Sequence, residues 1–372
     1  MKVLMVFGTR PEAIKMCPLA VALDNSAGIE CVICLTGQHK EMLSQALIPF
    51  SVKCHYNLDI MKEGQQLTSI TASVLEGMDG VLEKEKPDLV LVHGDTTTSL
   101  AAALAAFYKK IPVGHVEAGL RTGNLYSPYP EELNRLLTDR ISTYLFAPTE
   151  NNKKNLAREG ITSNVYVTGN TVIDSFQYTV QENYRFKNKV LRELDFGNKR
   201  VVLITAHRRE NLGQPLKSIC SAVKRLAREY KDIDFVYPVH LNPAVRDTVF
   251  KILNGDENVY LIDPIEVFDM HNLLARCYLV LTDSGGLQEE APHFGKPVLV
   301  LRTETERPEA VEAGTVKVVG VSEDNIFLEA RRLFEDRQSY QEMAKAVNPY
   351  GDGHSCERIA KSIRNCFREF FV

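Results

Sequence analysis

The sequence lacks the features that would mark a membrane protein, an NAD enzyme or a P-loop ATPase. No apolar run approaches the ~18 residues that a membrane span requires. No G-x-G-x-x-G follows a predicted strand, and no G-x-x-x-x-G-K-[ST] is present, so neither an NAD site nor a P-loop is indicated. The net charge of −4 is too small to favour nucleic-acid binding. We expect neither a membrane nor a nucleic acid among the partners.

The sequence also gives little support for export, for disulfides or for a metal site made of cysteine thiolates. Apart from Lys2, residues 1–7 are apolar, and the run stops at Gly8; it is too short for a signal peptide and predicts a buried strand. Most of the eight cysteines are far apart. Cys31 and Cys34 have C-x-x-C spacing, but in a strand they would point to opposite faces, which favours buried thiols over a shared metal. We therefore expect a cytoplasmic protein with reduced cysteines.

Short apolar runs alternate with amphipathic segments throughout the 372 residues. The runs are rich in Val, Ile and Leu without clean alternation, as in parallel strands that helices cover. This βαβ pattern predicts an α/β, doubly wound fold. The predicted strands are 2–8, 30–36, 88–94, 112–117, 143–147, 164–168, 200–206, 234–239, 258–262, 278–282, 297–301 and 316–319, and helices are predicted at 11–24, 64–84, 96–109 and 131–142.

The pattern occurs twice, which predicts two Rossmann-like domains. A largely polar stretch, 169–199, separates the two sets of strands. We therefore predict an N-terminal domain at 1–168 and a C-terminal domain at 169–354, with a last helix within 355–372 that packs back on the first. Ligands of open α/β sheets bind outside the carboxyl ends of strands, so two such domains would face a cleft.

Charged residues follow the predicted strands of the first half. Arg10 and Lys15 lie at the start of a helix and suit an anion, although a tight turn with solvated charges is an equal alternative. Asp95 follows a further strand, Glu117 ends the next one, and Glu131 opens the helix after it. A lone Asp could simply cap a helix, but three carboxylates along one sheet edge can divide acid and base roles.

Two histidines precede these carboxylates. Alternation along a strand would place His93 beside Asp95 and His115 beside Glu117, which raises the possibility of a metal site. Because no H-x-x-x-H pair or adjacent Cys accompanies them, we favour two buried histidines and expect no metal.

In the second half, His207 and Arg208 follow the first strand. His207 could exchange a proton near neutral pH, and Arg208 could hold phosphate, although a charge network at a helix start is an equal alternative.

A later strand is followed by Ser284, Gly285 and Gly286, which would present backbone N–H groups to an anion or form a plain glycine turn. Glu290 could bind ribose hydroxyls. Arg307 adds a cation, though a lone arginine is more often solvated.

Eight ordered strings now identify a resemblance: GTRPEAIKM (8–16), HGDTTT (93–98), GHVEAGLRTG (114–123), PEELNR (130–135), AHRREN (206–211), YPVHLNP (237–243), TDSGGLQEEAP (282–292) and TERPEAVEAGT (305–315). They resemble the non-hydrolysing UDP-N-acetylglucosamine 2-epimerases over nearly the whole chain. The resemblance implies a GT-B-like pair of Rossmann-like domains, with the substrate between them, and a homodimer without cofactor. It implies interconversion of UDP-N-acetylglucosamine and UDP-N-acetylmannosamine for capsule, wall or surface polysaccharide.

Carried over by motif, the resemblance implies two sets of site residues. The substrate would contact Arg10, Lys15, Asp95, Glu117, His207, Met270, Ser284, Gly285, Gly286, Glu290 and Arg307, where Met270 stands at a position that is often Phe. The chemistry would be carried by Asp95, Glu117, Glu131 and His207.

The resemblance also implies an activator site for a second UDP-N-acetylglucosamine, at Gln38, Glu41, Arg208 and His240, with His207 beside it. The chain departs from regulated relatives there, because Glu41 replaces Gln and Gly64 replaces Arg. This departure puts allosteric activation in question.

The chemistry of the sugar limits the mechanism. The hydrogen on carbon 2 is not next to a carbonyl, so we expect UDP to leave first, giving a 2-acetamidoglucal, and to add back after reprotonation. Arg10, the turn at 284–286 and Arg307 would stabilise the leaving diphosphate. His207 would protonate or hydrogen-bond it, and the carboxylates would move the proton in an order that the sequence leaves open. The alternatives are a hydrolysing relative that releases N-acetylmannosamine and UDP, a GT-B glycosyltransferase, and a non-catalytic nucleotide-sugar sensor.

Overall fold

The structure, a computed structural model, describes residues 1–37, 47–60, 62 and 64–367. Packing divides the chain into two compact units. Unit 1 comprises Met1–Tyr178 and the stretch from Tyr350 onward, and unit 2 comprises Thr179–Pro349. The domain boundary near 169 stays a sequence-based prediction.

Unit 1 contains one parallel sheet of seven strands, ordered β3-β2-β1-β4-β5-β6-β7. The strands are β1 (Lys2–Phe7), β2 (Glu30–Leu35), β3 (Tyr56–Asn57), β4 (Leu89–His93), β5 (Val113–Val116), β6 (Tyr144–Ala147) and β7 (Val165–Val167). The helices are α1 (Arg10–Asp24), α2 (Leu67–Glu85), α3 (Thr97–Tyr108), α4 (Glu131–Ile141), α5 (Glu150–Arg158) and α6 (Thr171–Thr179).

The central strands of this sheet are buried along almost their whole length. β4 is buried at every residue, and β1 is buried from Val3 onward. Unbroken apolar runs of this kind form the interior of a parallel sheet, because both faces must pack against other elements. One core cluster joins Leu4, Val74 and Val90 from β1, α2 and β4.

Unit 2 contains a parallel sheet of six strands, ordered β10-β9-β8-β11-β12-β13. The strands are β8 (Arg200–Thr205), β9 (Ile233–Pro238), β10 (Val259–Ile262), β11 (Leu279–Thr282), β12 (Val298–Val300) and β13 (Val316–Val318). The helices are α7 (Lys189–Glu193), α8 (Gln214–Glu229), α9 (Pro243–Leu253), α10 (Val267–Arg276), α11 (Gly285–Glu290), α12 (Pro308–Glu312), α13 (Glu323–Glu335) and α14 (Arg337–Ala344).

The last described helix, α15 (Ser355–Cys366), belongs to unit 1 and packs against α1. The buried carboxylate of Asp174, on α6, accepts hydrogen bonds from the backbone N–H groups of Ser355 at 3.1 Å and Cys356 at 2.7 Å. Asp174 therefore satisfies two of the donors that a helix start leaves unpaired.

The predicted fold class is confirmed: both units are parallel-sheet α/β structures. Every predicted strand is present, with each end within about one residue, which is the precision that such boundaries have. β3, only two residues long, was not predicted. Within the described ranges, no helix combines the length and apolarity of a membrane span.

Candidate active site

The strand order places the reversal point of each sheet beside its first strand. From β1 the chain continues to β2 on one side, and β4 lies on the other side. Unit 2 repeats this arrangement with β9 and β11 flanking β8. Ligands of doubly wound sheets bind at such points, beyond the carboxyl ends of the strands. In unit 1 these are the ends of β1 and β4, and in unit 2 the ends of β8 and β11.

Glu117 is the centre of a charged cluster in unit 1. Lys15 Nζ donates a hydrogen bond to Glu117 Oε2, and His93 Nε2 lies 3.3 Å from the same oxygen. The buried side chain of Asn170 donates to it as well, at 3.1 Å. Three elements besides the Glu117 loop therefore converge on one carboxylate: α1, β4 and the segment before α6.

The environment keeps Glu117 ionised. Burial by itself would raise the pKa of this carboxyl, but the charges of Lys15 and His93 outweigh it and hold the pKa well below its ordinary range. The backbone of Glu117 has φ +69°, a left-handed conformation that is rare for a side-chain-bearing residue. Such strain is common where a side chain must be aimed at a ligand.

Asp95 has a different cationic partner. It follows β4, and its carboxylate accepts a hydrogen bond from the guanidinium of Arg135 on α4. Asn134, the preceding residue, donates to the Asp95 carbonyl at 2.8 Å. Arg135 also contacts Glu132 at 3.2 Å. Helix α4 therefore holds Asp95 through two contacts, one to the carboxylate of Asp95 and one to its backbone carbonyl.

Glu131 and Arg10 each have a polar group that lacks a partner among the described residues. Glu131 Oε2 is buried and, within the described part of the chain, has no hydrogen-bond partner. Arg10, half-buried at the start of α1, forms no ion pair with any described residue. No described residue therefore prevents either group from binding a ligand.

Strand alternation predicted His93 beside Asp95 and His115 beside Glu117, but the structure gives both histidines other partners. His93 contacts Glu117 and His115 contacts Asp139, because the left-handed residues Gly94 and Glu117 interrupt the alternation. Among the described residues, no group of His, Cys, Asp and Glu side chains is arranged to hold a metal ion.

Glu12 is a site-forming residue that the sequence analysis did not single out. Its buried carboxylate accepts from the backbone N–H groups of Gly8 at 3.0 Å and Thr9 at 2.7 Å. It also accepts from the hydroxyls of Thr96 at 2.7 Å and Ser99 at 2.9 Å. One carboxylate thus joins the loop of Arg10 to the loop of Asp95. The T-x-x-E capping-box pattern at 9–12 was the available signal.

In unit 2, Asp283 performs a similar task at the ends of β8 and β11. One oxygen of this fully buried carboxylate accepts from the backbone N–H groups of His207 and Arg208, both at 2.8 Å, and from the Asn211 side chain at 2.9 Å. The exposed His207 ring stacks on His240, with centroids 5.2 Å apart. Asp283 therefore sets the turn from which His207 projects.

The turn at 284–286 carries the other predicted unit 2 residues. A Cβ placed on Gly285 would lie 3.3 Å from the Arg307 guanidinium carbon, so that cation packs directly on the turn. A Cβ on Gly286 would lie 3.2 Å from Glu290 Oε1. The structure therefore brings Ser284, Gly285, Gly286, Glu290 and Arg307 together.

Three arginines surround one carboxylate beside this turn. Glu306 is contacted by Arg208 at 3.4 Å, by Arg302 at 3.4 Å and by Arg307 at 3.2 Å. Burial would raise the pKa of Glu306, but the three positive charges lower it below its usual value. Arg302 was not predicted, and a buried arginine near a glycine turn has no specific sequence signature.

The remaining predicted residues have varied positions. Met270 is half-buried on α10, and Gly64 lies in a turn with φ +67°. Gln38 and Glu41 lie outside the described residues, so the activator site remains a prediction.

Comparison with known proteins supports one family for the whole chain. A family model described as UDP-N-acetylglucosamine 2-epimerase matches residues 21–364. The UDP-N-acetylglucosamine 2-epimerase of Escherichia coli K12 is 52% identical over 372 residues, covering 98% of this chain and 99% of the relative.

Solved structures agree over the same length. A UDP-GlcNAc 2-epimerase from Neisseria meningitidis, bound to UDP-GlcNAc, has a TM-score of 0.89 and 50% identity, covering 98% of this chain and all of that chain. A Listeria monocytogenes structure has a TM-score of 0.93 and 49% identity, covering 99% of this chain and 97% of that one. On these matches, the chain belongs to the UDP-N-acetylglucosamine 2-epimerase family.

Proposed function

We propose that this protein interconverts UDP-N-acetylglucosamine and UDP-N-acetylmannosamine without hydrolysis, by eliminating UDP and adding it back. The observation that carries the proposal is the family match over nearly the whole chain, together with the Neisseria relative solved with UDP-GlcNAc bound. The polar residues gathered at the reversal point of each sheet support it independently.

The proposed route follows from the acidity of the sugar. The hydrogen on carbon 2 has no neighbouring carbonyl and cannot be removed directly. When the bond from carbon 1 to the diphosphate oxygen breaks, carbon 1 becomes cation-like and that hydrogen becomes acidic. Its loss gives a 2-acetamidoglucal and UDP. Protonation of carbon 2 from the other face, with return of the diphosphate oxygen to carbon 1, gives the epimer.

Unit 2 has the groups that a departing diphosphate requires. Arg307 packs on the turn at 284–286, so its guanidinium and the N–H groups of the turn can bind the same anion. We propose that His207, projecting from the adjacent turn, donates a hydrogen bond or a proton to the leaving phosphate. Stabilising charge as it develops is the largest contribution that such a site can make.

Unit 1 has the groups that move a proton. Glu117 is ionised and can accept one, while Glu131 has a buried oxygen with no described partner. We propose that Asp95, Glu117 and Glu131 remove and return the proton of carbon 2 on opposite faces of the sugar, and that the roles exchange between the two directions of the reaction.

The test is incubation of pure protein with UDP-N-acetylglucosamine in deuterated water, without NAD or added metal. We expect UDP-N-acetylmannosamine that carries deuterium at carbon 2. Epimer without solvent label would contradict elimination. Stoichiometric free UDP with N-acetylmannosamine would instead identify a hydrolysing enzyme, and turnover that requires an acceptor would identify a glycosyltransferase.

Asp95→Asn tests the place of Asp95 in the chemistry. The amide cannot exchange a proton, so we expect turnover to fall about 100-fold or more, which is typical for loss of an acid–base group. Asp88→Asn is the control, because Asp88 accepts a hydrogen bond from the Lys2 backbone at the amino end of β1. Near-normal turnover of a folded Asp95→Asn protein would remove Asp95 from the catalytic group.

Several expectations stay predictions. They are a homodimer, activation by a second UDP-N-acetylglucosamine, a cytoplasmic location and a role in surface polysaccharide synthesis.

A further inference from the structure

We infer that His115 and Asp139 form a buried, charged positioning pair that holds the loops of Asp95 and Glu117 in their reactive arrangement. This inference rests on the proposed function, because it concerns the same carboxylates. It assigns a role to two residues that touch no ligand in the proposed mechanism.

The pair is fully enclosed. His115 lies on β5 and Asp139 on α4, and both side chains have 0% exposure. His115 Nδ1 is 2.6 Å from Asp139 Oδ1, and His115 Nε2 is 2.7 Å from the backbone carbonyl oxygen of Gly94. Both ring nitrogens therefore face acceptors.

When Asp139 is ionised, this geometry makes a donor of each ring nitrogen. A carbonyl oxygen can only accept, so Nε2 must carry a hydrogen. Burial would raise the pKa of Asp139, but His115 and Arg121 hold it below its ordinary value, so its carboxylate also accepts. His115 is then an imidazolium with both N–H groups donating. Besides the Gly94 carbonyl, the pair is faced by the backbone N–H of Gly119 and by the guanidinium of Arg121, which is 2.8 Å from Asp139 Oδ2.

The ring fixes the residue that precedes Asp95. The carbonyl of Gly94 accepts from His115, and the N–H of Gly94 donates to the Val116 carbonyl at 2.9 Å. Gly94 has φ +64°, so the chain turns sharply there. Residues of β5 bind both backbone groups of Gly94. The direction in which the chain continues to Asp95 is therefore fixed.

The carboxylate fixes the far end of the Glu117 turn. Asp139 Oδ2 accepts from the backbone N–H of Gly119 at 3.1 Å. Gly119 has φ +84°, and a Cβ there would lie 2.4 Å from the Asn152 carbonyl oxygen, so this position is tightly constrained. The same helix, α4, supplies Arg135 to Asp95 one turn earlier. A single ion pair thus underlies the placement of both carboxylates.

The expected effect is on turnover rather than on nucleotide binding. The Asp139→Asn amide cannot accept from His115, Gly119 and Arg121 together, so the two loops should lose their common support. Displacements of about 1 Å cost about 100-fold in rate, so we expect kcat to fall about 10- to 100-fold while KM and the Kd for UDP change less than about threefold. We expect KM and the Kd for UDP to change less than kcat because the groups proposed to bind UDP are largely in unit 2.

The experiment combines kinetics with the protonation of the ring. In wild-type protein labelled with ¹⁵N-histidine, we expect His115 to show two ring N–H groups at neutral pH. In Asp139→Asn, we expect the ring to keep one N–H group. His115→Gln assigns the signal by removing it. This variant keeps a donor for the Gly94 carbonyl but loses the charge, and it should lower kcat. Asn258→Ala is the matched control, because the buried Asn258 side chain binds three backbone carbonyls at the amino end of β10. It should lower the unfolding temperature without lowering kcat.

The outcomes separate the two proposals. Unchanged kcat in both variants, or a neutral His115 ring in the wild type, would overturn the positioning role. The positioning role would also be overturned if Asn258→Ala lost as much kcat as Asp139→Asn at the same loss of thermal stability. A wild-type protein that binds UDP but forms no epimer would contradict the proposed function instead, and the ring signature would still report on the pair.

Discussion

At the scale of single residues, the partners of each carboxylate decide what it can do. Asp95, Glu117 and Glu131 have the same chemistry in the sequence. In the structure, Glu117 is paired with Lys15 and Asp95 is paired with Arg135, whereas one oxygen of Glu131 has no hydrogen-bond partner among the described residues. The three groups therefore differ in their partners and in their availability to a ligand, which is the condition for dividing acid and base roles.

Lys15→Met tests the electrostatic part of this arrangement. With the Lys15 cation gone, only His93 is left to oppose the effect of burial, so the pKa of Glu117 rises. Because the folded-state pKa is depressed in the wild type, the ionised carboxylate stabilises the protein above the unfolded pKa and loses that contribution as the pH falls. We expect the acid limb of the kcat profile to move to higher pH and neutral-pH turnover to fall about tenfold or more.

The measurement is kcat against pH together with unfolding at several pH values. Lys109→Met is the control, since Lys109 pairs with Asp79 and Glu83 at the surface. An acid limb that stays in place in Lys15→Met would mean that Lys15 does not control the ionisation of Glu117.

At the scale of elements, helix starts and strand ends are joined by buried carboxylates. Glu12 joins the β1–α1 and β4–α3 loops, and Asp283 joins the loops that follow β8 and β11. Strands and helices were predictable because a parallel strand needs a continuous apolar run and a surface helix an amphipathic one. The links between loops were not, because they join residues such as Glu12 and Ser99 that are 87 positions apart.

Glu12→Gln tests one such link. An amide offers a single acceptor oxygen to four donors and adds two donors of its own, so buried N–H groups are left unpaired. We expect the free energy of unfolding to fall by about 1–3 kcal/mol. We also expect a lower kcat, since Arg10 and Asp95 adjoin the affected loops.

Urea unfolding and steady-state kinetics provide the measurements. Glu30→Gln, at the exposed amino end of β2, serves as the control. If Glu12→Gln had the same stability and kcat as Glu30→Gln, the Glu12 carboxylate would not be needed to hold the two loops together.

At the scale of the whole molecule, the chain leaves unit 1 at Tyr178, forms unit 2 and returns at Tyr350. The return is completed by α15, whose first N–H groups donate to Asp174. Unit 1 is therefore built from two distant parts of the sequence, and one buried carboxylate connects them.

Asp174→Ala should weaken this connection. Two buried backbone donors lose their acceptor, so we expect a loss of about 1–3 kcal/mol in the free energy of unfolding. Asp352→Ala offers a comparison from the same returning segment, because Asp352 pairs with Arg358 at the surface and should contribute less than about 1 kcal/mol. Chemical denaturation of the full chain measures both, and equal losses would contradict the assigned role of Asp174.

The sequence by itself determined the α/β class, nearly all the strands, the repeated pattern and the residues at the strand ends, because these depend on local apolar runs and on short motifs. Only the tertiary structure decided which charges meet. It paired His93 with Glu117 and His115 with Asp139, and it packed Arg307 on the turn at Gly285. Such contacts depend on strand order and on single left-handed residues such as Glu117, and a local pattern carries no information about either.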